Sequence, residues 1–216
     1  MNFQISKEKE NLRNQIWDLI KENNISKRPQ GDYGRITNFK GAKIAAERLS
    51  RTIEWTNSEI IFCSPDSAQK HVRELALKHN KDLIMATPKL EHGYLLIKGE
   101  FMENGEEKIA STINGAFKYG NPISKIPKVD MVIEGSVAVD MNGNRLGKGG
   151  GYADKEISEL INQKSVHNQT PIATTVHPLQ IINKVPLEIH DQKINIIVTP
   201  NEVIRLLLDP KITLVK

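Results

Sequence analysis

The chain is short of several things, and each shortage excludes something. It has one cysteine, Cys63, among 216 residues, so no internal disulfide can form. Cys63 ends the apolar run EIIFC and reads as a buried structural thiol. No apolar stretch approaches the roughly 18 residues a transmembrane helix needs. The opening MNFQISKEKENLR lacks the apolar core of a signal peptide, so export is not expected. These features together predict a cytoplasmic protein with no membrane contact. Charge of one sign is also scarce: the formal net charge is only +4, and Lys and Arg are scattered along the chain. Such a mild excess suits an anionic small molecule and does not argue for nucleic acid. Repeats, low-complexity tracts and Pro/Gly/Ser linkers are missing, so residues 1–216 read as one domain.

What is present is an alternation of helices and strands. Leu12, Ile16, Leu19 and Ile20 form one apolar stripe and predict a helix over 7–23, with Ser6 as N-cap. Residues 24–38 hold Pro29, Gly31 and Gly34 and read as a loop. A second helix is expected from about residue 39, burying Phe39, Ala42, Ala46 and Leu49. Its other face carries Lys40, Lys43, Arg48 and Arg51, either a solvated face or a grip for a polyanion.

Strand 59–63, helix 67–80 and strand 82–87 have the spacing of a parallel βαβ unit. Residues 93–97 suggest a further short strand. Residues 100–127, with Gly105, Gly115, Gly120, Pro122 and Pro127, read as loops. Beyond them lie a strand at 129–140, a helix at 151–163 and strands at 171–176 and 194–199. The expected fold is α/β: three layers, a mainly parallel sheet with helices on both faces, Rossmann-like in arrangement. Ligands of such sheets bind beyond the carboxyl ends of strands, so a binding loop is expected directly after the 129–140 strand.

There the chain reads MNGNRLGKGGGYADKE. Asn142-Gly143 is a turn signal, and Gly147, Gly149, Gly150 and Gly151 lead into a helix. Glycines let backbone N–H groups approach a ligand, and a helix N-terminus adds partial positive charge. Arg145 and Lys148 add full charges. Asp154, in the first turn, either caps it or helps hold Mg²⁺ beside phosphates. The segment is not a Walker A loop: only three residues separate Gly143 from Gly147, and no Ser or Thr comes after Lys148. From the glycines alone, a flexible turn and a phosphate cradle are both open.

RLGKGGGYAD, however, resembles the RLGxGxGYYD signature of 5-formyltetrahydrofolate cyclo-ligases. The likeness extends to Lys9 and Arg13 on the first helix, and to Asp130, Gly135, Ala138 and Asp140 before the signature. It continues in LQIINKVPLEIHD, with Gln180, Pro186, His190 and Asp191. It thus runs in order from residue 9 to about 204. The resemblance implies the cyclo-ligase fold and an ATP- and Mg-dependent enzyme acting on a reduced folate or related pterin. It implies that Lys9 and Arg13 contact ATP phosphates, whereas without it they would read as a solvated helix face. It implies that Arg145, Gly147, Lys148, Gly149, Gly150, Gly151 and Tyr152 form the nucleotide loop, with Arg145 and Lys148 catalytic. Asp154 and Asp191 would then lie near Mg²⁺. His177 and His190 receive no role.

The pattern departs from the family in three places. Ala153 stands for the signature's second tyrosine, and EGSVAVD replaces PGxAFD, putting Glu134 for proline and Val139 for phenylalanine. SPDSAQKHVR, 64–73, replaces an acid-bearing segment. These departures, with NFKGAKIAAERL and GKGGGYAD, resemble a divergent branch that includes the cyclo-ligase-like domain of methenyltetrahydrofolate synthase domain-containing proteins. They leave open a substrate other than folate, or a module that binds nucleotide or RNA without chemistry.

Overall fold

The structure, a computed structural model, describes residues 3–189 and 191–206. Among these residues are eleven strands and seven α-helices. Helix α1 (Phe3–Glu22) starts ahead of Ser6, which lies inside the helix rather than capping it. Its buried stripe is Lys9, Arg13, Ile16, Trp17 and Ile20. The spacing places two cations in line with the apolar seam. Helices α2 (Ala42–Leu49) and α3 (Ile53–Thr56) come next. Strand β1 (Ile60–Cys63), helix α4 (Lys70–Lys78) and strand β2 (Asp82–Ala86) are the expected parallel unit, with Ile61 opposite Leu83.

Strand β3 (Tyr94–Ile97) then pairs antiparallel with β2. The loops expected over 100–127 are instead largely ordered: α5 (Glu106–Ala110), α6 (Ile113–Tyr119) and β4 (Asn121–Ile123). Thr112 caps α6 by accepting a bond from the Gly115 N–H, and Ala110 and Ala116 are fully buried. Small residues let these short helices pack closely, but give too weak an apolar rhythm to read as helices.

The strand expected over 129–140 is two strands. β5 (Met131–Glu134) joins the main sheet, and β6 (Ala138–Asp140) turns away into a small one with β7 (Arg145–Leu146). Gly135 stands at the bend. A Cβ there would come within 2.8 Å of Asp66 Oδ2 and 3.0 Å of Ile36 Cγ2, so a larger residue would push these side chains back. Helix α7 (Tyr152–Asn162) leads to β8 (Ile172–Thr175), β9 (Ile181–Ile182), β10 (Ile196–Val198) and β11 (Val203–Arg205).

The main sheet has eight strands in the order β11-β10-β8-β5-β1-β2-β3-β4. The five from β10 to β2 are parallel, and the outer strands pair antiparallel. Alternate side chains of β1 separate two cores. Ile61 and Cys63 pack with the buried residues of α1 to α6, while Phe62 packs with Ile157 and Leu160 of α7. Helices therefore cover both faces of a mainly parallel sheet, as expected, but among the described residues only α7 covers the second face. From β1 the chain moves one way to β2 and later returns to β1's other side as β5. The carboxyl ends of β1 and β5 consequently lie side by side where the winding reverses, with Cys63 opposite Ile133.

Candidate active site

A cavity of about 740 Å³ opens at that reversal. One wall continues from β1: Ser64, Pro65, Asp66 and Ser67, then Lys70 and Arg73 of α4. Arg73 is fully buried and donates to the carbonyls of Ser111, Ser64 and Asp66, binding this wall to the ordered 106–119 segment. Thr112, Ile113 and Asn114 continue the lining. The opposite wall is the glycine-rich loop and the start of α7: Arg145, Gly147, Lys148, Gly150 and Gly151, then Tyr152 to Asp154. Arg28 and Arg35, from the first loop, and Lys89 contribute further cations.

The loop is braced from behind. Arg13 Nε donates to the Gly147 carbonyl at 2.8 Å, and Gly149 turns through φ +105° beside the Arg13 guanidinium. Lys9 lies 2.5 Å from Asp191 and 3.0 Å from Glu188. Neither Lys9, Arg13, Gly149 nor Asp191 lines the cavity. In front, Arg145 is nearly inaccessible and meets Asp154 at 2.9 Å, while its other nitrogen donates to the Gly135 carbonyl. Burial works against the Arg145 charge, but Asp154 and Glu134 hold its pKa above the usual value. Lys148 reaches across the cavity to Asp66 at 2.7 Å.

The loop residues expected from the sequence are thus brought together. Arg145, Gly147, Lys148, Gly150, Gly151 and Tyr152 share one wall at the N-terminus of an 11-residue helix. Asp154 stands on the same wall, and the backbone N–H of Gln192, next to Asp191, donates to it at 3.2 Å. Among the described residues no group of three or more His, Cys, Asp and Glu side chains forms a metal cage. Asp154 and Asp191, the two carboxylates expected from the sequence to lie near Mg²⁺, are held in ion pairs by Arg145 and Lys9, and of the two only Asp154 lines the cavity.

Other pattern residues serve the fold. Asp130 accepts from the Glu59 and Ile60 N–H groups. Asp140 holds the 142–144 turn and Val185, and the Gln180 amide donates to Ser136 and Val137. His177 accepts from the Leu179 N–H and packs edge-on to Phe39. His190 lies outside the described residues. Val139 is fully buried against α7 and does not line the cavity, so its departure from the family pattern concerns core packing and not the ligand. On the basic helix, Arg48 donates to the Pro200 carbonyl, and none of Lys40, Lys43, Arg48 and Arg51 reaches the cavity.

Two cavity residues have no site role assigned from the sequence, although Glu134 is one of its departures from the family pattern. Glu134, at the end of β5, and Glu156, on α7, both line the cavity and are almost wholly buried. Burial and the proximity of Glu156 push the Glu134 pKa well up. Burial, then Asp66, push that of Glu156 to about 8 against the pull of Arg145 and Lys148. The sequence does hold one signal: Glu134 is a lone acid closing the apolar run MVI. Glu156 has none, because exposed acids near a helix start are ordinary.

A mainly parallel sheet with a cationic, glycine-rich wall at its winding reversal defines an α/β protein whose cavity has the charge and backbone donors that suit an anion. A sequence model of the 5-formyltetrahydrofolate cyclo-ligase family matches residues 5–200, and the chain belongs to that family. It is 36% identical over 203 residues to the methenyltetrahydrofolate synthase domain-containing protein of Bos taurus, covering 91% of this chain and 53% of that one. For the Mus musculus protein of the same description the identity is 34% over 211 residues, with 94% and 56% covered. The chain therefore spans about half the length of the curated relatives it matches. The solved 5,10-methenyltetrahydrofolate synthetase of Aquifex aeolicus shares the fold, with TM-score 0.57 and 21% identity over 90% of this chain and 93% of that one.

Proposed function

We propose that this chain is an ATP- and Mg-dependent cyclo-ligase that converts 5-formyltetrahydrofolate to 5,10-methenyltetrahydrofolate in cytoplasmic one-carbon metabolism. The observation that carries the reading is the pairing of a cationic loop and helix start with a cavity of about 740 Å³, within the range of small-ligand sites. The N5-formyl oxygen is a poor leaving group. Transfer of the ATP γ-phosphoryl group to it makes an oxygen–phosphorus bond, as the bond from that phosphorus to the β,γ-bridging oxygen breaks and ADP leaves. N10 then attacks the formyl carbon and loses its proton, and the carbon–oxygen bond breaks to release phosphate.

In this reading the loop N–H groups and Lys148 receive the phosphates, and Arg145 offsets charge on the transferring group. Lys148 would exchange Asp66 for phosphate as ATP enters. Arg13 fixes the loop through Gly147, and Lys9 fixes Asp191. Asp154, with Asp191 behind it, would hold Mg²⁺, which neutralises phosphate charge when bound.

Ala153 lines the cavity where the family carries tyrosine, and this favours a second reading, the same nucleotide chemistry on a non-folate substrate. The deciding test is incubation of purified protein with Mg-ATP and 5-formyltetrahydrofolate. Methenyl absorbance appearing with ATP consumption supports the first reading. ATP binding without any methenyl product leaves the second.

A further inference from the structure

Lys148 and Asp66 stand 82 residues apart in the chain and on opposite walls of the cavity, and their ion pair joins the two. Neither has another ion-pair partner among the described residues. The two ends are mounted differently. The Asp66 carbonyl accepts from Arg73 Nη1 at 3.0 Å and from the Gln69 N–H at 3.1 Å, and Arg73 is itself fully buried. Behind the Asp66 carboxylate lies the bend between β5 and β6, where a Cβ on Gly135 would come within 2.8 Å of Oδ2. Lys148 instead stands between Gly147 and Gly149 on the glycine-rich loop, and reaches Asp66 along a flexible four-carbon stem. When the pair breaks, the carboxylate stays in place and the ammonium moves. Side-chain exposures of 36% and 17% leave the pair open to water, so it is weak enough for a stronger anion to break.

We propose that Asp66 is a built-in competitor of the cavity's phosphate ligand, latching Lys148 across the cavity until a polyphosphate takes the ammonium away. This rests on the reading that the loop wall receives a nucleotide, and adds control of its entry. An ammonium is a compact charge with three donors and no fixed plane, so the same group serves a carboxylate or a phosphate without rebuilding the loop. A triphosphate carries more charge than one carboxylate and also meets the loop N–H groups, so it wins the exchange at saturating concentration. The exchange still weakens its net affinity, because a pair has to break and because Asp66 stays behind as a negative charge near the phosphates. Arg145 offers no such control. It is nearly inaccessible, and its partner Asp154 stands on its own wall, so that pair ties the loop to α7 and not to the far side. Asp66 belongs to the 64–73 segment, where the chain departs from the family pattern, so the glycine-rich signature alone does not bring a latch with it.

The test is a double-mutant cycle on affinity for a non-hydrolysable ATP analogue with Mg²⁺, read by calorimetric titration. Asp66→Asn keeps the size and removes the charge. It should tighten binding by about threefold to tenfold, from the broken pair and the relieved repulsion together. In a Lys148→Met background the same change should tighten binding by clearly less, because only the repulsion is left to relieve. Asp66→Ser, which also carries no charge, should behave as Asp66→Asn does, and circular dichroism verifies each fold. Equal gains in both backgrounds would show plain repulsion and no latch. Unchanged or weaker binding in Asp66→Asn would overturn the latch and leave the nucleotide reading standing. If neither wild type nor Asp66→Asn binds the analogue, the nucleotide reading falls and the latch with it. A cycle that shows the coupling, in a wild type that forms no methenyl product from 5-formyltetrahydrofolate, keeps the latch and sinks the cyclo-ligase activity.

Discussion

On the loop side of the cavity Arg145 meets Asp154 at 2.9 Å and Lys148 meets Asp66 at 2.7 Å. On the strand side Glu134 and Glu156 meet each other, and neither is in an ion pair among the described residues. The first arrangement is complete before any ligand arrives, and ligand entry has to displace a partner. The second has no cation of its own, and its two buried carboxyls bond each other. One wall is organised by ion pairs and the other by burial, so substitutions on the two should fail in different ways.

Arg145→Met should have the largest effect. It removes the buried cation that Asp154 meets, and so leaves that carboxylate unpaired. A loss of about 3–5 kcal/mol of stability is expected, together with all activity. Urea unfolding measures it. A loss below about 1 kcal/mol would mean that the loop wall is not organised around Arg145.

The strand side should reveal itself through pH. The folded pKa of Glu156, about 8, lies above the usual 4.5, and Glu134 shifts in the same direction. The folded protein therefore holds more protons than the unfolded chain between those values. Stability is fully present below the unfolded pKa and is lost as pH rises through the folded one. Unfolding free energy should fall from about pH 5 to about pH 8, by up to about 1.4 kcal/mol per pH unit for one group. Glu156→Gln should flatten the slope. A flat or rising profile in wild type would show that the pair is not protonated there.

Gly149→Ala addresses the loop backbone. At φ +105° an alanine is strained, and its Cβ would stand 3.5 Å from the Arg13 guanidinium. A cost of about 1–3 kcal/mol is expected, with weakened nucleotide binding as the loop shifts. Calorimetric titration of an ATP analogue reads the binding, and unchanged affinity would show that the loop does not have to keep this shape.

The legibility of the sequence divides along the same line. The β1-α4-β2 unit is written in short apolar runs around an amphipathic helix, and the loop wall is written in contiguous residues, 145–154. Both are local, and local patterns survive in a linear text. The carboxyl pair is not local. Glu134 and Glu156 are brought together by a crossover and a bend, and what marks them is mutual burial. The 106–119 helices escape a hydropathy pattern because Ala110, Gly115 and Ala116 pack by being small, a property that hydropathy does not display. Val139 misleads for the opposite reason. A residue within a signature invites a ligand role, yet β6 turns it into the core behind α7.

Lys148→Met should have the smallest effect on stability and still separate the two walls. Its side chain is 36% exposed, so the pair with Asp66 is screened, and its loss should change unfolding by no more than about 1 kcal/mol. If Lys148 instead receives phosphate, affinity for the ATP analogue should fall by roughly tenfold or more, the worth of a hydrogen bond to a charged group. The pH slope of stability set by Glu134 and Glu156 should be untouched. A variant that keeps its nucleotide affinity would reduce Lys148 to a clasp on Asp66. One that also changes that pH slope would show that the two walls act as a single charge network, and that the balanced and unbalanced halves of the cavity are not independent.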